Sequence, residues 1–234
     1  MLKAILFDMD GTLLPMDAVA FTKKYFGALS AKFAPRGYDP EKMIGAVWQG
    51  VLAMVKNDGA QTNEEVFWKV FAAAFGEGAR ADRPLFDEFY EKDFDALRAA
   101  CGFNAQAGAA VSSLKAAGYT LVLATNPVFP MTAQKKRLAW SGAAEENFSL
   151  ITSYENSRFC KPNPKYYEEI LSKIGHAPDE CLMVGNDVAE DMAAARTGMR
   201  TFLMTDCLIN RQGADISVYP RGGFEQLLAY IKTV

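Results

Sequence analysis

The chain begins MLKAILFDMDGTLL (residues 1–14). Ala4 to Phe7 is an unbroken apolar run. A run without polar alternation predicts a strand covered on both faces, as in a parallel sheet. Asp8 and Asp10 follow at once, with Gly11 behind them. Burying a charge is costly unless it is paired. Two acids at the tip of a buried strand therefore predict chemistry, and a metal ion that makes them tolerable.

Working outward, comparable runs occur at Tyr119 to Ala124, Cys181 to Val184 and Thr201 to Met204, with a weaker one at Phe148 to Thr152. Helical segments are predicted between them: Ala105 to Ala117, Pro130 to Trp140, Pro164 to Ile174 and Val188 to Thr197. The third has Asn163 as its N-cap and Pro164 at its first position. Strand and helix in alternation predict an α/β fold with crossover helices. The stretch from about Pro15 to about Arg98 differs, being rich in alanine and aromatics with no buried strand. Within it, Asn63 to Phe75 places Val66, Phe67, Val70, Phe71, Ala74 and Phe75 on one helical face, with Asn63 as its cap. This block reads as a small helical domain inserted after the first strand, its aromatic stripe serving as core. Lys135 to Arg137 reads as a solvated helix face. GEGARA (residues 76–81) follows a helix rather than a strand, so it is not a dinucleotide fingerprint.

Half of the 234 residues are hydrophobic, enough for one large domain or a medium domain with an insertion. The net charge of −3 and the lack of a long basic tract argue against a nucleic-acid partner. The four cysteines are widely spaced, which indicates neither a zinc site nor a disulfide framework. The single histidine, His176, follows the helix stop Gly175 and reads as a loop residue. The first apolar run is too short for a signal peptide, and no stretch approaches the ~20 apolar residues of a membrane span. A cytoplasmic protein with reduced thiols, and no membrane partner, is the expectation.

Open α/β sheets bind ligands beyond the carboxyl ends of their strands. Asp8, Thr125 with Asn126, and Asp187 all follow predicted strands, and Lys161, held extended by Pro162, reaches from a loop. These residue types suggest phosphoryl transfer. One carboxylate can attack phosphorus, and a second can protonate the leaving oxygen and then activate water. Two carboxylates about 4 Å apart repel by roughly 4 kcal/mol at an effective dielectric of 20. A divalent cation and a lysine would offset this. Mg²⁺ prefers such oxygen ligands, here Asp8, the Asp10 carbonyl and Asp187. Gly11 lets backbone amides approach a phosphate, and Thr12 adds a hydroxyl.

The motifs DMDGTLL (Asp8 to Leu14), LATN (Leu123 to Asn126), Lys161 before Pro162, and VGNDVAEDMAAA (Val184 to Ala195) resemble those of the haloacid dehalogenase superfamily, phosphatase branch. The resemblance implies a Rossmann-like parallel-sheet core built from residues 1–14 and 99–234, with a helical cap at 15–98. It implies a Mg²⁺-dependent phosphatase acting on a small phosphorylated metabolite through an aspartyl-phosphate. Asp8 would be the nucleophile and Asp10 the general acid/base. Thr125 would bind the phosphoryl oxygens, alongside Gly11 and Asn126, and Lys161 would offset their charge. The family often has Asp directly after the glycine of the last motif, where this chain has Asn186. Asp187 is then the expected third metal ligand with Asn186 as the alternative, and Asp191 orients Lys161 or a metal-bound water. A dehalogenase or phosphomutase of the same fold, or a non-catalytic phospho-accepting module, are the competing readings. Phe21, Tyr25, Trp48 and Trp68 of the cap line the entrance or pack its helices, and Lys23, Lys24, Arg36, Lys42 and Lys56 are candidates to meet a second acidic group. Oligomeric state, and the choice among sugar phosphates, nucleotides and phosphoglycolate-like acids, are not written in these motifs.

Overall fold

Ala4–Phe7 forms the strand β1, and all four of its residues are buried. In the computed structural model, which describes residues 1–234, β1 is the third strand of a sheet of six. The others are β2 (Thr120–Leu123), β3 (Leu150–Ile151), β4 (Cys181–Gly185), β5 (Arg200–Met204) and β6 (Arg221–Gly222). Every pairing is parallel, in the order β3-β2-β1-β4-β5-β6. The short final strand β6 has no signal in the sequence; the chain reaches the sheet edge there for only two residues. Phe7 is level with Leu123 on one side and Val184 on the other, so the tips of β1, β2 and β4 end together.

Alternation along β1 divides the core. Ile5 and Phe7 join Leu121, Leu123, Leu182 and Val184 on one face, continuous with the aromatic side chains of residues 21–97. Ala4 and Leu6 join Val122, Cys181 and Met183 on the other, under Tyr166, Tyr167 and Ile170. Those three belong to a helix, Pro164–Ile174, capped by Asn163 as expected. The inserted block is helical, with α1 (Ala18–Phe33), α2 (Pro40–Val55), α3 (Asn63–Phe75) and α4 (Arg83–Glu88), followed by π and 3-10 turns to Ala100. Back in the sheet layer come α5 (Ala105–Ala116), α6 (Met131–Trp140), α7 (the Pro164–Ile174 helix) and α8 (Phe224–Ile231).

Three local expectations are corrected. The cap of α3 is Thr62, which forms a reciprocal capping box with Glu65. Asn63 is instead fully buried: it accepts from Asn57 Nδ2 (2.9 Å) and donates to the Pro127 carbonyl (3.2 Å) and to Cys160 Sγ (3.3 Å). Its own backbone N–H and that of Glu64 donate to the carbonyls of Ser157 and Tyr154. The first turn of α3 is thus bonded to the loops that carry the sheet's tips. The buried face of α3 is accordingly rotated toward Asn63, Phe67, Trp68, Phe71 and Ala72, with Val66, Val70, Ala74 and Phe75 only partly covered. Lastly, no α-helix spans Val188 to Thr197. A turn pinned by Val188 N–H to the Ile209 carbonyl leads into a 3-10 segment, Asp191–Thr197.

Truncating a buried residue with several hydrogen-bonded partners strands each of them. Asn63→Ala should therefore lower unfolding stability by about 1–3 kcal/mol, against about 1 kcal/mol for loss of the exposed cap in Thr62→Ala. Urea denaturation of both variants checks this; an Asn63 variant no weaker than the Thr62 one would show that the tie carries no stability.

Candidate active site

The sheet order reverses between β1 and β4, the position at which α/β sheets open a ligand crevice. Asp8 stands at its centre. Its N–H donates to the Val184 carbonyl, prolonging the β1–β4 ladder by one residue, and its side chain is nearly buried. Lys161, 1% exposed, places Nζ 2.8 Å from Asp8 Oδ1 and 2.6 Å from Asp191 Oδ1. Burial alone would favour the neutral amine, but the charges of Asp191 and Asp8 outweigh it and hold the Lys161 pKa well above its usual value. Asp191 is fixed in turn by the Asp187 N–H on Oδ2 (2.9 Å). Its approach requires Gly185, where an added Cβ would overlap the Asp191 carboxyl and Cβ.

The loop after β1 is equally specific. Gly11 has φ +85°, and a Cβ there would collide with the Asn186 amide at 2.3 Å. Thr12 Oγ1 donates to Asn186 Oδ1 (3.0 Å) and lies 3.4 Å from Asp8 Oδ2. Asn186 Nδ2 donates to the Cys207 carbonyl (2.7 Å). Thr125 is buried at the tip of β2, its carbonyl fixed by the hydroxyls of Thr152 and Tyr166. Asn126 donates to Glu190 Oε2 (3.2 Å), while its own Oδ1 is buried without a partner. Asp187 turns Oδ1 back onto the N–H groups of Ala189 and Glu190. It is Asn186, then, whose carbonyl oxygen comes within one hydroxyl of Asp8, and Asp187 that braces the turn.

The reading of Lys135 to Arg137 as a solvated face is overturned at its last residue. Lys135 is exposed, but Arg137 is 1% exposed and sets Nη1 2.5 Å from Asp10 Oδ2. Gln134 Oε1 accepts from Nη2, and the guanidinium lies over the Phe129 ring at 4.6 Å. A signal was available: Ala133, Arg137 and Trp140 recur at helical spacing with Leu138, so Arg137 falls on the apolar stripe of α6. The other carboxylate oxygen of Asp10, Oδ1, is buried with no partner. Burial raises the Asp10 pKa, with Arg137 opposing. Glu190 also escaped the sequence reading. Burial raises its pKa as well, and its carbonyl accepts from Tyr167 (2.6 Å).

These residues suit a hard divalent cation. No three His, Cys, Asp or Glu side chains form a cage, but Mg²⁺ commonly uses one or two carboxylates and keeps several waters. No backbone N–H reaches the Asp10 carbonyl, and Asp8 Oδ2 has only the long Thr12 contact. Were Asp8, Asp10 and Asp191 all ionised, they would carry one more charge than their partners Lys161 and Arg137 offset, a surplus that a bound cation would relieve. The donor set is oxygen throughout.

The sequence profile of haloacid dehalogenase-like hydrolases matches residues 2–198. The chain is 30% identical over 133 residues to the phosphoserine phosphatase of Thermus thermophilus, covering 57% of this chain and only 50% of that protein. It is 27% identical over 233 residues to the N-acetylmuramic acid 6-phosphate phosphatase of Pseudomonas aeruginosa, covering 94% and 92%. The fold resembles that of a 2-haloacid dehalogenase from Pseudomonas syringae, with a TM-score of 0.63, 20% identity, and coverage of 100% and 99%.

Removing one partner from a buried ion cluster leaves an uncompensated charge. Asp191→Ala should cost about 3–5 kcal/mol of unfolding stability. Gly185→Ala, which pushes the same carboxyl away from Lys161, should act in the same direction. Chemical denaturation of both is the check; wild-type midpoints would show that the cluster contributes nothing to folding.

Proposed function

The chain belongs to the haloacid dehalogenase-like hydrolase family, and on that premise we propose that it is a Mg²⁺-dependent phosphatase that cleaves a small phosphomonoester by way of an aspartyl-phosphate on Asp8. The observation that carries this reading is the buried chain Asp8–Lys161–Asp191 at the strand switch point, with the Asp10 carboxyl beside it. A buried carboxylate bonded to a buried ammonium is held in one orientation, as a nucleophile at phosphorus must be.

In the first step an Asp8 oxygen attacks phosphorus and the ester oxygen departs. Asp10 gives that oxygen its proton from the carboxyl whose Oδ1 has no other partner. A raised pKa suits the task, since the group must hold a proton before it delivers one. In the second step Asp10 takes a proton from water, and the water oxygen forms a bond to phosphorus as the bond to Asp8 breaks. Lys161 offsets the charge on Asp8 and the phosphoryl oxygens throughout, while Thr125, Asn126 and the Gly11 backbone would receive those oxygens. Arg137 keeps the Asp10 carboxyl aimed along one direction. Mg²⁺, held by Asp8, the Asp10 carbonyl and Asn186 or Asp187, would supply the charge neutralisation that a phosphate dianion demands beside these acids.

The helices of residues 15–98 act as the cap, and a cap of this size favours an enzyme over a phospho-accepting signalling module. Asp10 separates the reading from a dehalogenase, because expulsion of halide needs no proton donor. No helix is long and apolar enough to cross a membrane, and the cytoplasm is the compartment that fits the free thiols.

Phosphate release from 4-nitrophenyl phosphate should require Mg²⁺, stop with EDTA and return on readdition of Mg²⁺. Asp8→Asn should lower it by about 10⁴-fold; full activity in that variant ends the proposal. Arg137→Gln should lower kcat by about 10- to 100-fold through misplacement of Asp10, with partial recovery in Arg137→Lys. An Arg137→Gln enzyme with an unchanged kcat would separate Arg137 from the reaction.

A further inference from the structure

Between the helical block and the sheet lies a cavity of about 210 Å³ with Asp10 in its wall. Most of that wall is apolar or aromatic, including Phe21, Phe26, Trp48, Phe67 and Phe129; Thr22, Tyr154 and the Trp68 indole add polar groups, and Asp10 is its one charged residue. Two of its hydroxyls are already spent on each other, Tyr25 and Tyr90 at 2.8 Å. Burial drives both phenols further from ionisation, Tyr25 to about 12. The cap cations that the sequence offered to a second acidic group are elsewhere: Lys23, Lys24, Arg36, Lys42 and Lys56 are all exposed and none lines the cavity. Arg137 is also absent from the lining. It is covered by the Phe129 ring and taken up by Asp10.

The proton donor therefore opens onto a space without a counter-charge. From this we infer that the leaving group of the substrate is an uncharged, apolar group about the size of one substituted aromatic or alicyclic ring. The inference rests on the phosphatase reading and names the substrate class of that site. Size is compatible: an apolar cavity of about 150 Å³ accepts benzene, so 210 Å³ admits a ring with a small substituent. Chemistry sets the rest. A carboxylate or second phosphate on the leaving group would be buried against a wall that holds no cation. A sugar would bury more hydroxyls than the wall's remaining polar groups, the Thr22 and Tyr154 hydroxyls and the Trp68 indole N–H, can satisfy. A ring, by contrast, meets aromatic edges and faces in the tilted and T-shaped arrangements that Phe21, Phe26, Phe67 and Trp48 already adopt with their neighbours.

The test uses the full chain with Mg²⁺ and two matched pairs of esters. Phenyl phosphate is compared with 4-carboxyphenyl phosphate, whose better leaving group would otherwise favour it, and benzyl phosphate with glucose 6-phosphate. In each pair kcat/KM should favour the apolar member by at least about 100-fold. A second measurement involves no phosphoryl chemistry: benzyl alcohol should quench tryptophan fluorescence saturably, through Trp48 and Trp68, and glycolate should not. Equal or reversed preferences, with no benzyl alcohol binding, would overturn the inference while leaving a working phosphatase. Benzyl alcohol binding without hydrolysis of any ester would uphold the apolar site and remove the phosphatase reading instead.

Discussion

A single ammonium group, Lys161 Nζ, organises the crevice. It is buried and touches the carboxylates of Asp8 and Asp191. Moving an ammonium out of water costs several kcal/mol even after relaxation, and one carboxylate rarely repays that unless its geometry is excellent. Two do, and their presence explains why the surrounding chain is so constrained. Gly185 must lack a side chain so that Asp191 can come close, and the Asp187 N–H must point at Asp191 Oδ2. Asp8 must leave β1 in register with β4. Parallel strands ending at one level bring these distant segments together; the ion cluster then fixes their side chains.

A second pair, Arg137 with Asp10, stands where the crevice meets the aromatic cavity. The two ion clusters divide the labour. The charges of Asp191 and Asp8 hold Lys161 protonated against its burial, whereas burial biases Asp10 toward protonation and Arg137 opposes it. Carboxylates of identical chemistry two residues apart thus meet different surroundings. Phe129, stacked on the Arg137 guanidinium, shields that cation from the cavity and leaves the space beyond apolar.

The helical block is not a loosely attached appendage. Its aromatic core is continuous with one face of the sheet, and Asn63 bonds α3 to the loops that bear Pro127 and Cys160. Cys160 immediately precedes Lys161, so the block that shapes the cavity is joined directly to the loop that carries the central cation. The cavity wall and the central ion cluster share one hydrogen-bonded frame.

The sequence by itself determined the α/β class, four of the strands nearly to the residue and the helical insertion, and it singled out Asp8, Asp10, Thr125, Lys161, Asp187 and Asp191 as candidates at the strand tips. These were legible because continuous apolar runs, strand-end acids and cap residues are local patterns, encoded within a few neighbouring positions. Only the tertiary structure decided what depends on distance across the fold. It rotated α3 to bury Asn63, because partners at Pro127 and Cys160 outweigh a cap that Thr62 supplies better. It turned Arg137 inward, since a buried guanidinium is tolerable only beside an acid, and Asp10 lies 127 positions away in the chain. It brought the Asn186 carbonyl, rather than the Asp187 carboxylate, next to Thr12 and Asp8. And it removed the cap's lysines from the cavity wall, because a charged side chain stays in water when nothing inside compensates it.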